Sequence, residues 1–139
     1  MKLEEGFECW GHKKTRLKYH IVLVTKYRYK CLKGIESDVY DALKRVENIS
    51  DIRINHIGIE SDHIHLIVTI PPKYSISQIE NKIKQSTLNY LYAHQNDHLR
   101  KFYRRRKRKL WSDGCFVGTI GLVSEQKVSS YLEHHDWYL

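Results

Sequence analysis

The pair His63 and His65 is the first feature of the sequence whose residue types and spacing could do chemistry. In a β-strand, residues two apart project to the same face, so these imidazoles would lie side by side, with Ile64 on the opposite face. Two imidazoles at this spacing can share one divalent metal ion. The alternative is two unrelated surface histidines beside a turn. Because the chain has nine histidines, the bare pattern favours that alternative.

Tyr131 and His135 form a second pair, four residues apart on a predicted helix, where they would be neighbours on one face. A phenol beside a metal-ligating imidazole suits phosphoryl transfer, in which a metal polarises the phosphate and the tyrosine oxygen attacks it. Alternatively, Tyr131 belongs to the core, because it shares an apolar stripe with Val128 and Leu132. The chain has ten tyrosines, so spacing alone does not select this one.

A third feature is the basic segment, residues 100–109, in which eight of ten residues are cationic. Basic side chains bind phosphates, and its two aromatic residues, Phe102 and Tyr103, could stack on unpaired bases. A solvated charged loop is the alternative, but so dense a run repels itself without a counter-charge, which favours nucleic-acid binding. The predicted DNA-binding residues are Arg100, Lys101, Arg104, Arg105, Arg106, Lys107, Arg108 and Lys109.

The elements that must position these residues follow from hydrophobic periodicity. We predict strands over 20–25, 52–60, 63–70 and 114–121, a helix after Gly34, a second helix from Ser75 or Ser77 to about Tyr92, and a last helix over 122–135. Residues 94–110 are predicted to form a loop. The two middle strands would make a hairpin.

This order, β-α-β-β-α-β, predicts an α+β fold of ferredoxin-like (RRM-like) type, with a mainly antiparallel sheet and one added C-terminal helix. Two helices would cover one face of the sheet and leave the other available for nucleic acid or a metal site. Residues 1–139 are predicted to form a single domain, with a loosely ordered basic lead-in over 1–18.

Composition narrows the classes of partner and compartment. Lys and Arg total 24 against 16 Asp and Glu, a net charge of +8, which indicates a polyanionic partner, nucleic acid before an anionic membrane. Three cysteines without a CxxC pair argue against a disulfide framework or a cysteine zinc site. The simplest state of these cysteines is the reduced thiol. The N-terminus is charged, unlike a signal peptide, and no apolar run reaches the length of a membrane span. We therefore predict a cytoplasmic protein.

Taken together, these pieces resemble the single-tyrosine HUH transposases of IS200-type insertion sequences, named for histidine, hydrophobic residue, histidine. Three ordered segments carry the resemblance, which runs from about His20 to His135. They are His56-Ile-Gly-Ile-Glu-Ser-Asp-His-Ile-His-Leu-Ile-Val68, Leu110-Trp-Ser-Asp-Gly-Cys-Phe-Val-Gly-Thr119 and Tyr131-Leu-Glu-His-His135.

The resemblance implies a role for each matching position. His63 and His65 would ligate Mg²⁺ or Mn²⁺, and Tyr131 would attack single-stranded DNA at hairpin-bearing transposon ends, forming a 5′-phosphotyrosine link. His135 would be the third ligand, at a position where the family often has glutamine, and Asp62 is an alternative oxygen ligand. The resemblance also implies a homodimer in which the C-terminal helix reaches the partner's site.

Two other functions stay open at this point. One is a non-catalytic single-stranded nucleic-acid-binding module of RRM-like fold, although such modules stack bases on aromatic residues of their central strands. The other is a degenerate transposase that binds transposon ends but no longer cuts them, because the effect of histidine at position 135 is not fixed by the sequence.

Overall fold

The computed structural model describes residues 8–10, 13–15, 17–105 and 107–120, with side chains from residue 17 onward. Two short strands, β1 Glu8–Trp10 and β2 Lys13–Thr15, pair with each other. The next four strands are β3 Lys18–Val24, β4 Arg53–Ile59, β5 His63–Thr69 and β6 Phe116–Thr119. These four form one antiparallel sheet in the order β4-β5-β3-β6. In a ferredoxin-like sheet the first and third strands of the motif are central, and here these are β3 and β5. The strand order therefore confirms the predicted fold class.

The described residues also form three α-helices: α1 Glu36–Ile49, α2 Ile76–His94 and the short α3 Asn96–Arg100. Helix α2 begins at a capping box, in which the Ser75 side chain accepts from the backbone N–H of Gln78 and the Gln78 side chain accepts from the backbone N–H of Ser75. Of the two serines proposed from the sequence, Ser75 is therefore the cap. In the part of the chain that the structure describes, no helix is long and apolar enough to cross a membrane.

The core lies between the helices and one face of the sheet. Branched aliphatic side chains fill it, because residues at alternate positions of the strands meet residues three and four apart on the helices. Fully buried members are Ile21, Leu23, Val39, Leu43, Ile64, Leu66, Val68, Ile79 and Ile83. The alternation that buries these residues sends their strand neighbours to the opposite face, where the predicted site lies.

Two predictions about irregular segments were wrong. Residues in the predicted lead-in form a hairpin of β1 Glu8–Trp10 and β2 Lys13–Thr15. The sequence did not indicate this hairpin, because its backbone hydrogen bonds form without an apolar run. The predicted loop over 94–110 begins with the end of α2 and the whole of α3, because Leu99 is fully buried and anchors the segment to the core. A single apolar side chain such as Leu99, next to many cations, is a weak indication of a helix in the sequence.

Some of the predicted features lie outside the described residues. They are the helix predicted over 122–135, with Tyr131 and His135, and Arg106 of the basic segment.

Candidate metal and nucleic-acid site

The register of β5 fixes the direction of the two histidines. His63 pairs with Val24 and His65 with Val22 on β3, while Ile64 and Leu66 point into the core. His63 and His65 therefore project from the face of the sheet opposite the helices, as the period of two predicts. They are only 7% and 3% exposed, so they are not the two surface histidines of the alternative interpretation.

Asp62 holds the ring of His63. The two side chains meet at 2.9 Å between Asp62 Oδ1 and His63 Nδ1, and the carboxylate must be the acceptor when ionised. The proton then resides on Nδ1, and Nε2 keeps the lone pair that could ligate a metal. The other Asp62 oxygen lies 3.6 Å from Arg28, and the Asp62 backbone oxygen accepts from Thr25. These contacts fix the carboxylate as a support for His63.

His65 is held by packing against β4. Its ring lies over Gly58, its cross-strand neighbour, and stacks on His56 with ring centroids 5.5 Å apart and an interplanar angle of 29°. His56 Nε2 is buried without a hydrogen-bond partner among the described residues. Neither Gly58 nor His56 was singled out from the sequence, because their relation to His65 depends on strand register, which includes a shift between Ile54 and His56.

The residues present fit part of a metal site. The ring centroids of His63 and His65 are 6.1 Å apart, within the span of two imidazoles that share one ion at a metal–nitrogen distance of about 2.1 Å. Within the described ranges, no group of three or more His, Cys, Asp and Glu is arranged to hold an ion. The histidine pair therefore offers two nitrogen ligands, and a complete site needs a further ligand from elsewhere.

The basic segment divides into tethered and exposed cations. Arg100 contacts the carbonyl of Arg105 and lies over the ring of Tyr92 at 5.1 Å, and Arg108 donates to Asn89 at 2.9 Å. Lys109 is half-buried and donates to Tyr27 at 3.2 Å. Among the described residues, the exposed cations are Lys101, Arg104, Arg105 and Lys107, and Arg108 is exposed as well although its side chain is tethered to Asn89. The segment is thus a fixed basic surface and not a free loop.

Its two aromatic residues differ in role. Tyr103 is 4% exposed, and its hydroxyl donates to the carbonyl of Lys26 at 2.7 Å, so Tyr103 is a core residue and does not offer a ring face to a base. Burial, together with the nearby Cys31, raises its pKa strongly. Phe102 is only half-buried, with part of its ring packed against the core.

Lys84 anchors the loop that leads into β6, another role that the sequence did not indicate. Its ammonium group lies 2.6 Å from Glu80 on the same helix and 2.9 to 3.2 Å from the carbonyl oxygens of three loop residues, Ser112, Asp113 and Gly114. Trp111 adds a hydrogen bond of 2.9 Å from its indole N–H to Thr87. The sequence Trp-Ser-Asp-Gly is therefore tied to α2 at one end of the sheet.

Comparison with known proteins shows which family this chain resembles. The model of the family described as IS200-like transposases matches residues 13–135. The transposase of the insertion sequence element IS200 from Salmonella typhimurium is 32% identical over 125 residues, covering 89% of this chain and 80% of that protein. The ISDra2 transposase TnpA from Deinococcus radiodurans is 22% identical over 128 residues, 87% of this chain and 86% of that one.

Two solved structures share the fold. A protein described as a transposase from Deinococcus radiodurans R1 superposes with a TM-score of 0.71 at 19% identity, over 91% of this chain and 96% of its own. A REP-associated tyrosine transposase bound to a REP hairpin gives a TM-score of 0.58 at 14% identity, over 91% of this chain and 68% of its own.

The family match and the relative at 32% identity define this chain as a transposase. The chain belongs to the IS200-like transposase family.

Proposed function

We propose that this transposase cleaves and rejoins single-stranded DNA at the ends of an insertion sequence, through a 5′-phosphotyrosine intermediate on Tyr131 and with Mg²⁺ or Mn²⁺. The observation that carries the proposal is the buried pair His63 and His65, side by side on the face of the sheet opposite α1 and α2, with Nδ1 of His63 held by Asp62. Two neighbouring imidazoles on one face can ligate a divalent ion, which would polarise the phosphate in a metal-dependent phosphoryl transfer.

His63 and His65 would hold the metal, with His135 as the proposed third ligand. Bound there, a divalent ion supplies charge that polarises the scissile phosphate. Asp62 is better placed to orient His63 than to ligate, because its oxygens already face His63 and Arg28. Tyr131 would supply the attacking oxygen, and the phosphotyrosine would conserve the phosphodiester energy for rejoining, so that no nucleotide cofactor is needed.

DNA is the proposed substrate because one structural relative is bound to a REP hairpin and because exposed cations of the basic segment form a fixed surface on this chain. Such a surface binds phosphates without reading sequence, so base contacts must come from other residues. We propose hairpin-bearing single-stranded ends as the substrate. The proposed assembly is a homodimer that exchanges the helix bearing Tyr131, by the resemblance to its family.

The non-catalytic RRM-like module fits less well. Such modules stack bases on aromatic residues of the central strands, which here are β3 and β5. On the face opposite α1 and α2, these strands carry only lysine, histidine, threonine and aliphatic residues. They are Lys18, His20, Val22, Val24, His63, His65, Ile67 and Thr69.

A labelled single-stranded transposon end incubated with the protein and Mg²⁺ or Mn²⁺ tests the proposal. We expect a metal-dependent nick and a covalent protein–DNA band on a denaturing gel, both lost in Tyr131→Phe. Tyr40→Phe is the matched control, because Tyr40 is 47% exposed on α1 and should leave both products unchanged. Nicking by Tyr131→Phe, or the absence of a covalent band from wild type under any divalent ion, would contradict the assignment and favour a protein that only binds ends.

A further inference from the structure

Two segments far apart in the sequence meet in an open cavity of about 590 Å³. Tyr27 and Tyr29, which follow β3, line it together with Phe102, and five cationic residues between 101 and 109 lie around it. We call this cavity the aromatic pocket. Its volume falls in the range of about 300–1,000 Å³ that is usual for sites binding small organic groups.

The aromatic residues of the pocket form a contiguous set. The Tyr29 ring centroid lies 5.5 Å from that of Tyr27 and 6.1 Å from that of Phe102. Tyr27 is 60% exposed and Tyr29 is 41% exposed, so both present ring surface to solvent. Beneath them the buried Tyr103 ring lies 5.5 Å from Tyr29 and gives that ring a rigid support.

The backbone that presents these rings adopts an unusual conformation. Tyr27 has a φ of 61° and Arg28 a φ of 56°, both in the left-handed region that residues other than glycine seldom occupy. Backbone hydrogen bonds hold it, from the N–H of Lys26 to Leu110 at 2.7 Å and from the N–H of Arg28 to Thr25 at 2.9 Å. Such outliers persist where the surrounding structure fixes them, and they cluster at functional sites.

Cations enclose the rings on the side of the basic segment. Lys109 donates to the Tyr27 hydroxyl at 3.2 Å, and Lys26 lies 5.6 Å from the centre of the Tyr27 ring. The hydrogen bond and the positive charge of Lys109 also lower the pKa of Tyr27. Stacking surface beside phosphate-binding side chains is the combination by which proteins hold unpaired bases of a single strand.

We propose that the aromatic pocket binds an unpaired nucleobase of single-stranded DNA, stacked on Tyr29 and Tyr27, with the flanking phosphates on the lysines and arginines of the basic segment. This inference rests on the proposed function for its substrate class. The proposed base-binding position lies next to the histidine pair. Arg28, which stands between the two tyrosines in the chain, forms a 3.6 Å ion pair with Asp62, and Asp62 in turn contacts His63. A base held in the pocket would fix the strand close to His63.

Fluorescence anisotropy of the full chain in EDTA tests the proposal without any cleavage step. The probes are a labelled oligothymidine of about 20 nucleotides and a labelled duplex of the same length. We expect Tyr29→Ala to weaken binding of the single strand on the order of 10-fold, with the salt dependence unchanged and the duplex little affected. Lys107→Ala should instead weaken both probes and reduce the steepness of the salt dependence.

Three controls keep the result interpretable. Tyr29→Phe keeps the ring and should bind within about twofold of wild type, since stacking does not need the hydroxyl. Tyr40→Ala removes an exposed tyrosine on α1 and should have no effect. Thermal unfolding followed by circular dichroism shows whether Tyr29→Ala remains folded, and photocrosslinking of wild type to 5-iododeoxyuridine in the oligonucleotide should label Tyr27, Tyr29 or Phe102.

Two results would overturn the pocket: a folded Tyr29→Ala that binds the single strand like wild type, or an equal loss on single strand and duplex. Neither depends on catalysis. If the base-stacking effect is found but metal and transposon ends give no covalent adduct, the proposed function fails and the pocket stands. If the adduct forms while Tyr29→Ala binds normally, only the pocket is wrong.

Discussion

Gly58 lies directly beneath the imidazole of His65. The two residues are paired across β4 and β5, and a Cβ atom on Gly58 would come within 2.0 Å of Cε1 and 2.1 Å of Nε2 of that ring. No side chain larger than hydrogen fits there with His65 in this orientation. The same arrangement recurs between β3 and β6, where His20 pairs with Gly118 and a Cβ on Gly118 would meet Nε2 of His20 at 2.1 Å.

Gly58→Ala should therefore displace the His65 ring and weaken metal binding. We expect a loss of affinity on the order of 10- to 100-fold, the range found when the residues that orient metal ligands are altered. Titration with Mn²⁺ followed by electron paramagnetic resonance measures it independently of DNA cleavage. Gly114→Ala is the matched control, because a Cβ at position 114 meets nothing within 4 Å. Wild-type affinity in a folded Gly58→Ala would show that His65 is not a ligand in this orientation.

The contact between Gly58 and His65 could not be predicted from the sequence, although the direction of the His65 side chain could. The alternation around His63 and His65 was enough to place both imidazoles on one face, and the register confirms it. The cross-strand partner of His65 was not predictable, because β4 shifts register between Ile54 and His56 and a shift of one residue exchanges the faces of a strand. Local patterns specify faces, whereas partners need the three-dimensional pairing.

The basic segment shows a second limit. Its charge density predicted a nucleic-acid surface, and it also concealed the apolar residues that fold the segment. Leu99 just before it and Tyr103 within it are buried, and they convert the predicted loop into a helix and an anchored turn. The meeting of Tyr27 with Lys109 joins residues 82 positions apart, which no local pattern in the sequence indicates.

Asp62 offers a test between orienting His63 and ligating the metal. If Asp62 only orients the ring, Asp62→Asn should bind metal nearly as well as wild type, because the amide oxygen can still accept from Nδ1. Asp62→Ala should then lose on the order of 10- to 100-fold in affinity. Calorimetric titration with Mn²⁺ measures both, with Asp113→Asn as the control, since Asp113 is 98% exposed at its side chain. An equally large loss in Asp62→Asn and Asp62→Ala would identify Asp62 as a direct ligand.

His20 should make stability depend on pH. Burial lowers the pKa of His20 below its usual value of 6.5, so at acid pH the unfolded chain binds a proton more readily than the folded chain does. The free energy of unfolding should therefore fall as the pH drops below 6.5. Urea unfolding at several pH values should show a smaller decline in His20→Gln than in wild type.

His94→Gln is the control, because His94 is at an exposed position on α2, and its stability should follow that of wild type. An identical decline in all three proteins would remove His20 as the cause.

Mixing inactive variants tests whether Tyr131 acts at the site of the partner subunit. His63→Ala and Tyr131→Phe should each be inactive alone. In a mixed dimer with exchanged helices, one site joins an intact His63 to an intact Tyr131, so an equal mixture should recover about one quarter of the wild-type sites, given random pairing. The matched control mixes wild type with the double variant His63→Ala, Tyr131→Phe: exchange leaves about one quarter of the sites intact, whereas attack within one subunit leaves about half. Covalent adduct formation on a labelled transposon end counts the sites in both mixtures. No recovery in the first mixture together with half activity in the second would show that each Tyr131 serves its own His63 and His65.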